Sequence, residues 1–498
     1  MLTNDGQENM RVCLINPPRI HPKSWGKPTV FQPLRIAYVA AMLEKEHKVK
    51  IIDAPTEGMN NIEQIDETKY RVGLKNEQIA ERIKNWSPDV VGITIPFAGW
   101  SKTAFEAAST VKNVDKDIVT VVDGQYPSAR PEDCLSRPDI DFVIIGEAEH
   151  TMFELVGALD EGNMQRLKKI RGIAFIENGK KIFTPSRPPI QDLDSLPFPA
   201  RHLLPMEMYY AAVKENPIRG EIRKPWTTVI TSRGCPYNCV FCSVHTVDGR
   251  TWRARSPQNV ADEIEQLIRT YNIKQIDFYD DNMTLDRKRM ESICDLIMER
   301  NLDFEWYIPT GVRADTLDED LLAKMKAAGC KRIFIAPESG VQRVVDQVVK
   351  KNLDLRKVEN AVISARKVGI KVACFFIIGL IGETKDDIKA TIDYAYKLKK
   401  LGADRFYFSF ATPLYGTELY EQAKRGGFLR EDFSDETLAA AEPLIETSEF
   451  TLDDLHELCA QANLVNLAFS WDKIVKFIRN PKKAINMILE KRGKLLRK

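Results

Sequence analysis

Cys235, Cys239 and Cys242 stand in the run TSRGCPYNCVFCSVH at C-x3-C-x2-C spacing, directly after an apolar, β-branched stretch. Three thiolates so placed can hold a 4Fe-4S cluster by three of its irons and leave the fourth iron open to a small molecule. Zinc is the rival, because Cys239, Cys242 and His245 also make a C-x2-C-x2-H run to which Cys235 could add a fourth donor. Structural zinc usually draws on two separated knuckles, however, and no second cysteine pair occurs in the chain. The other six cysteines (Cys13, Cys134, Cys294, Cys330, Cys374, Cys459) are scattered, most of them in apolar patterns, and read as small buried hydrophobes.

The elements that must position the three thiols are strands and helices in alternation. From Trp226 onward the apolar runs TTVITS, QIDFYD, FEWYIPT, RIFIAP, KVACFFIIG and RFYFSFA alternate with segments of helical period, which predicts six βα units curling into a partial barrel over residues 223–425. Reactive groups in such a barrel sit at the carboxyl ends of the strands, and the cysteines follow the first strand. The other strand ends carry Asp280, Asp281 and Asn282, then Arg313, then Glu338, Ser339 and Gly340, then Gly379 in GLIGE. Carboxylates for an ammonium, Arg for a carboxylate, and Glu with Ser for hydroxyls would suit an amino-acid zwitterion joined to a ribose. Asp286 reads instead as the N-cap of the next helix.

The cysteine motif with these strand ends resembles the radical S-adenosylmethionine (SAM) family. There the open iron chelates the amino and carboxylate groups of SAM, whose reductive cleavage yields a 5'-deoxyadenosyl radical. The resemblance assigns the residues after the second strand to the methionine amino group, Glu338 and Ser339 to ribose or carboxylate, and the Gly379 strand end to adenine. It also places Phe241 beside the adenine.

Upstream, RVCLINPP, KVKIIDAP, VVGITIPF, DIVTVVDG and DFVIIGEAE read as five buried parallel strands separated by helical segments, a doubly wound α/β domain over residues 1–160. Ligands of such sheets bind beyond the strand ends, here Asn16-Pro17-Pro18, Thr94-Ile95-Pro96, Asp123-Gly124-Gln125-Tyr126 and Gly146-Glu147. This order resembles the cobalamin-binding (flavodoxin/Rossmann-like) domain preceding many radical SAM domains, and implies Thr94, Pro96, Asp123, Gly124, Tyr126, Gly146 and Glu147 as cobalamin contacts. The chain lacks a D-x-H-x-x-G segment, and Tyr126 stands where relatives often have histidine. The lower face of cobalt is therefore open, water-bound or approached by a side chain such as Tyr126.

Residues 161–222 read as a connector: Asn178-Gly179 marks a β-hairpin, and six prolines in TPSRPPIQDLDSLPFPARHLLP forbid a continuous helix or strand. Residues 426–498 read as helices over the barrel, ending in a basic amphipathic stretch from Trp471 with ten Lys and Arg against two Asp and Glu. That stretch fits either a cap on the barrel or a weak membrane-surface contact. Seventy-two basic against 71 acidic residues over the 498-residue chain leave no field arguing for nucleic acid. A polar N-terminus, the lack of any 18-residue apolar run and free thiols at cluster spacing imply a cytoplasmic protein.

The resemblance implies an oxygen-sensitive cobalamin-dependent radical SAM methyltransferase acting on an unactivated carbon. Its cofactors would be a 4Fe-4S cluster, SAM and cobalamin, with an external one-electron reductant such as flavodoxin or ferredoxin. The alternative is a cyclase or C-C bond-forming enzyme acting on a tetrapyrrole or isoprenoid lipid without methyl transfer. A non-catalytic binding module is the reading from another class. No residue is assigned as a general acid or base, and the substrate class stays open among small molecule, peptide or protein, and lipid.

Overall fold

The computed structural model describes residues 9–212 and 223–467, and both alternating stretches form sheets in it. The first sheet is built on β1 (Arg11–Asn16), β2 (Lys48–Asp53), β3 (Val90–Thr94), β4 (Val119–Asp123) and β5 (Phe142–Ile144). All five lie parallel, in the order β2-β1-β3-β4-β5. Their side chains are apolar on both faces because both faces are covered. Val12 and Leu14 of β1 pack under α1 (Leu34–Leu43) and, across β5, α4 (Glu149–Asp160). Cys13 and Ile15 face α2 (Asn76–Trp86) and α3 (Ser101–Val114). The direction of winding reverses between β1 and β3, which opens a crevice at the carboxyl ends of the strands.

Asn178 and Gly179, both at positive φ, turn β6 (Ile173–Glu177) into β7 (Lys180–Phe183). β6 pairs antiparallel with β5, Phe175 opposite Phe142, so this hairpin continues the first sheet. A small antiparallel sheet of Arg19–Pro22, Lys69–Val72 and Ile62–Gln64, which no alternation in the sequence announces, stands beside it. The proline-rich connector touches both domains: the Ala200 N–H donates to Ala37 O on α1 at 2.9 Å, while buried Arg201 reaches Glu263 at 2.6 Å and Thr228 O at 2.7 Å.

The second sheet runs β8 (Trp226–Val229), β9 (Gln275–Phe278), β10 (Glu305–Val312), β11 (Cys330–Glu338), β12 (Lys371–Ile378) and β13 (Arg405–Phe410), all parallel and in chain order. Between them lie α5 (Pro257–Tyr271), α6 (Arg287–Glu299), α7 (Glu319–Ala327), α8 (Leu355–Val368) and α9 (Lys385–Leu401). Ser256, Asp286, Asp318, Asp354 and Thr384 each accept a backbone N–H at the N-terminus of these helices. These caps fix where each helix begins and so where each strand-end loop must turn. The α/β class, a flavodoxin-like domain followed by a partial (β/α)6 barrel, is the one expected.

Beyond the barrel the chain does two things. After α10 (Glu418–Gly426), residues 428–445 return to the first domain, where Leu438 and Leu444 join its core. Then α11 (Leu452–Asn463) packs Leu455 and Leu458 against Ile378, Ile388 and Ile392 of the barrel. α11 thus covers part of the barrel, and the basic stretch from Trp471, on which the cap or membrane-surface contact is expected, lies outside the described residues.

Candidate functional site

The cysteine loop is pinned from both sides. Val240, between the second and third cysteines, donates to Val349 O at 3.1 Å and accepts from the Leu419 N–H at 2.9 Å, with its side chain among Val344, Leu380 and Ala423. Cys242 N–H closes onto Cys239 O at 3.1 Å. The three thiols lie near enough to raise one another's pKa, and burial is the largest cause in each case. Cys242 is pushed up to about 12, with the Val244 N–H acting against the shift. Cys235 is raised by burial and eased by the Tyr237 N–H, and Cys239 is raised by burial and eased by Lys351. Backbone donors and two cations, Lys351 and Arg313, therefore already face the sulfurs, an environment that suits a thiolate-held group whose binding supplies the drive for deprotonation.

A single zinc ion would draw its thiolates to within about 4 Å of one another. With three thiolates in one loop, the remaining donor of a four-coordinate site would be His245. His245 is engaged elsewhere, with Nε2 at 3.1 Å from Gly416 O and a further bond to the Cys242 backbone. The donor set of three thiolates fits a cluster with one iron left open.

The strand-end residues expected to meet SAM are all in the barrel mouth, and many already have protein partners. Asp280, fully buried, accepts from Thr231 N–H (3.1 Å), Thr231 Oγ1 (2.5 Å) and Ser232 Oγ (2.6 Å), and so fixes the start of the cysteine loop. Asp281 accepts from the Gly234 N–H at 2.8 Å, and burial with the charge of Asp248 pushes it up to about 7. Arg313 stacks on Tyr237 at 3.7 Å from the ring centroid, pairs with Asp315 and donates to Lys351 O. Ser339 shares a 2.9 Å hydrogen bond with Thr391. Gly379 has φ +84°, and its N–H donates to Glu383. Phe241, half-buried, packs against the apolar floor of the cysteine loop.

Two features of the strand ends show only in the structure, and one residue in them, Lys351, escapes the sequence. Glu338 sits in the left-handed region at φ +68° and is paired at 2.6 Å with buried Lys351, a lysine in an unpatterned KKN turn. Strain of this kind in a non-glycine residue is characteristic of ligand sites. Asn282, directly after Asp281 and 2% exposed, has no partner for either side-chain amide atom. A buried amide without partners is the kind of group a bound polar molecule completes.

Inside the barrel, Trp306, Ile308, Ile333, Ile335 and Phe376 face the helices. The alternate residues Tyr307, Phe334, Phe375 and Tyr407 therefore point inward. Phe334, Phe375 and Tyr407 stack at centroid distances of 5.1, 5.5 and 6.0 Å, and Thr310 and Ser409 are exposed.

Across the crevice, the first domain offers backbone and few free side chains. Thr94 and Asp123 are almost buried, and Pro96 is exposed. Burial pushes Asp123 up to about 6, with the Thr94 hydroxyl acting against it. Gly124 (φ +113°) closes so tightly on β3 that a Cβ would meet Ile95 O at 2.7 Å. A bulky substitution there would disturb the turn itself before it reached any ligand. Gly146 (φ +90°) is different: its nearest neighbour would be Val247 O of the barrel domain at 3.9 Å, so its backbone faces the interdomain space. Half-exposed Gly124, exposed Pro96 and open Gly146 make a side-chain-poor floor that fits a broad flat macrocycle such as cobalamin.

Tyr126 and Glu147 are placed otherwise than as free contacts. Tyr126 is 3% exposed, packs on Phe105 and Tyr415, and is raised above its ordinary range by burial and by Asp435, with which it is hydrogen-bonded. A neutral, bonded phenol is not poised to coordinate a metal. Glu147, 5% exposed, lies at 3.0 Å from Arg233 and 2.9 Å from Arg253 of the barrel domain and accepts from the Ile190 N–H at 2.6 Å.

Comparison with known proteins agrees with this two-domain arrangement. The model of the radical SAM superfamily matches residues 229–395, and that of the B12 binding domain matches residues 28–156. The chain is 33% identical to an uncharacterised methyltransferase of Pyrococcus horikoshii over 98% of its own length and 97% of that protein. It is 32% identical to the cytidylyl-2-hydroxyethylphosphonate methyltransferase of Streptomyces wedmorensis, over 81% of this chain and 79% of that one. Magnesium-protoporphyrin IX monomethyl ester cyclases are among further relatives. The fold is shared with the radical SAM methyltransferase TsrM of Kitasatospora setae with cobalamin and a 4Fe-4S cluster bound, at TM-score 0.65 and 18% identity over 85% of this chain and 76% of that chain.

Proposed function

Since this chain belongs to the cobalamin-dependent radical SAM family of enzymes, whose members similar to it include methyltransferases, we propose that it transfers a methyl group to an unactivated carbon of an organic substrate admitted to the barrel. When bound, the cluster with SAM supplies the hydrogen-abstracting radical and cobalamin supplies the methyl group, so the protein's part is binding, orientation and exclusion of water. The observation that carries the reading is the juxtaposition of the two sites: the cysteine loop meets the loop after β5, with Arg233 within 3.0 Å of Glu147 and 2.6 Å of Glu149.

In this reading Cys235, Cys239 and Cys242 hold the cluster. Lys351 and Arg313 offset its negative charge. Asn282, Asp281 and Glu338 meet the polar end of SAM, and Phe241 with the Gly379 turn borders its adenine. Thr94, Pro96, Asp123, Gly124 and Gly146 border the corrin, whereas Glu147 acts through Arg233. The half-buried rings of Phe375 and Tyr407, packed on buried Phe334, favour a substrate with a carbon-rich face, and Thr310 and Ser409 supply hydroxyls to orient it. A flavodoxin or ferredoxin in the cytoplasm is the fitting one-electron donor. Among the described residues no helix is long and apolar enough to cross a membrane. Membrane-surface contact rests on the basic stretch from Trp471 alone.

Anaerobic incubation with methyl-labelled SAM, a reductant and native cell extract tests the reading. Label should appear in one organic fraction, carbon-bound, together with 5'-deoxyadenosine. Formation of 5'-deoxyadenosine with an unlabelled, ring-closed product would instead establish the cyclase alternative. Retention of SAM cleavage by the triple alanine variant of the three cysteines would sink the cluster assignment.

A further inference from the structure

The cysteine loop begins two residues after Arg233, and Arg233 is buried, with 2% of its side chain exposed. Its guanidinium bridges two carboxylates of the other domain, Nη1 to Glu147 Oε1 at 3.0 Å and Nη2 to Glu149 Oε1 at 2.6 Å, and lies 5.2 Å from the Tyr38 ring centroid. Arg253, paired with Arg233 across a two-residue antiparallel ladder, holds Glu147 from the opposite side at 2.9 and 3.0 Å. Two cations thus meet two anions, all nearly fully buried.

We propose that Arg233 is a positioning residue that fixes the cysteine loop against the loop after β5, and thereby sets the separation between the two metal cofactors. The inference rests on the reading that both are bound.

Three features make Arg233 a stiff connection. Gly234, between it and Cys235, has φ +79°, and a Cβ there would stand 2.4 Å from Thr251 O, while its N–H is tied to Asp281 at 2.8 Å. A shift of Arg233 is therefore passed to Cys235 with little slack. On the other side Glu147 directly follows Gly146, the open glycine of the proposed corrin floor, and Glu149 begins α4, where the helix dipole favours a carboxylate. The planar fork of arginine addresses two carboxylates at fixed angles, which an ammonium cannot do. Buried ion pairs return little stability relative to apolar packing, so their use here is directional. Chemistry that joins two centres through one substrate carbon depends on their spacing at the scale of about 1 Å.

The separation can be read without the substrate. Protein loaded anaerobically with cluster and cob(II)alamin, then poised so that the cluster gains one electron while cobalt stays Co(II), carries two unpaired spins whose dipolar coupling reports their distance in pulsed EPR. Wild type should give one narrow distribution. Arg233→Lys and the isosteric Glu149→Gln should give displaced or broadened distributions at unchanged iron, sulfide and cobalamin content. The same narrow distribution in the loaded variants overturns the proposal. Should Arg233→Lys fail to load, Glu149→Gln decides, since it alters one charge and leaves Arg233 and Glu147 intact. Failure of wild type to bind cobalamin would be a different result, against the cofactor reading itself.

Discussion

The two domains meet along two seams of opposite character. Beside the cysteine loop the seam is ionic, with Glu147, Glu149, Arg233 and Arg253 all nearly excluded from water. Beyond the barrel it is aromatic: Tyr415 stacks edge-on against Tyr126, Tyr420 and Phe433 at 6.0, 4.9 and 6.0 Å, and Asp435 accepts from Ser101 at 2.7 Å and Tyr415 at 2.8 Å. Large rings bury apolar area and contribute stability in whatever direction they pack. Desolvated ion pairs contribute direction at a cost in desolvation. The aromatic seam keeps the domains together, and the ionic one decides where they stop.

Breaking the ionic seam from one side should have the largest effect. Arg233→Met leaves Glu147 and Glu149 facing each other with one counter-ion fewer, and should lower stability by about 3–5 kcal/mol. Adding Glu149→Gln to that variant should recover part of the loss, because the uncompensated charge is removed. Urea unfolding of the anaerobic protein gives both values. If Arg233→Met costs no more than an exposed arginine would, the seam is not buried in solution.

Next in size is a pH effect at Asp123, which lies between the seams. Burial raises Asp123 to about 6 against an unfolded value of about 3.9, and the charge of Glu149 adds to the rise. A raised carboxylate contributes stability that is complete below the unfolded value and lost as pH climbs through about 6, on the order of 2–3 kcal/mol in all. Glu149 has the opposite sign. Burial pushes it up, but the attraction of Arg233 prevails and holds it below its ordinary value, so its contribution is present near neutrality and lost in acid. Cobalamin-free wild type should therefore lose stability relative to Asp123→Asn between about pH 4 and about pH 7. A difference that is flat across this range would place Asp123 in water. Smaller again, Tyr415→Phe removes one hydrogen bond to Asp435 while keeping the ring, and should cost about 1 kcal/mol in the same unfolding measurement.

The sequence made the parts of each seam legible but not their pairing. The cysteine spacing, eleven strands and the cap at Asp286 follow from local period and local chemistry, and the structure has them where the sequence puts them. Glu147 was expected to meet a ligand because it follows a strand end, yet its partner Arg233 is 86 positions away, a distance at which no local pattern operates. Ser101 and Asp435 are 334 positions apart. Lys351 was invisible for another reason: a lysine in a turn is ordinary until its burial is known, whereas Asn282 was legible as a strand-end residue and only its lack of a partner was not. A usable signal did exist in GEAE, whose two carboxylates after an apolar strand require cations, and in the arginine directly before Gly-Cys.

The smallest effect expected belongs to a contact that the seam comparison says should not matter. Lys102 and Glu436 pair at 3.0 Å across the aromatic seam, but both side chains are more than half exposed. An exposed pair of long side chains gains little in high dielectric and loses rotamer freedom, so its worth is about 0–1 kcal/mol and falls with salt. Lys102→Met keeps the aliphatic stem over the seam and removes only the charge. Its unfolding midpoint should lie within error of wild type at moderate salt, and it should carry the same cofactor content. A loss comparable with that of Arg233→Met would mean that charge governs both seams, and that the aromatic cluster around Tyr415 contributes less to joining the domains than its burial implies.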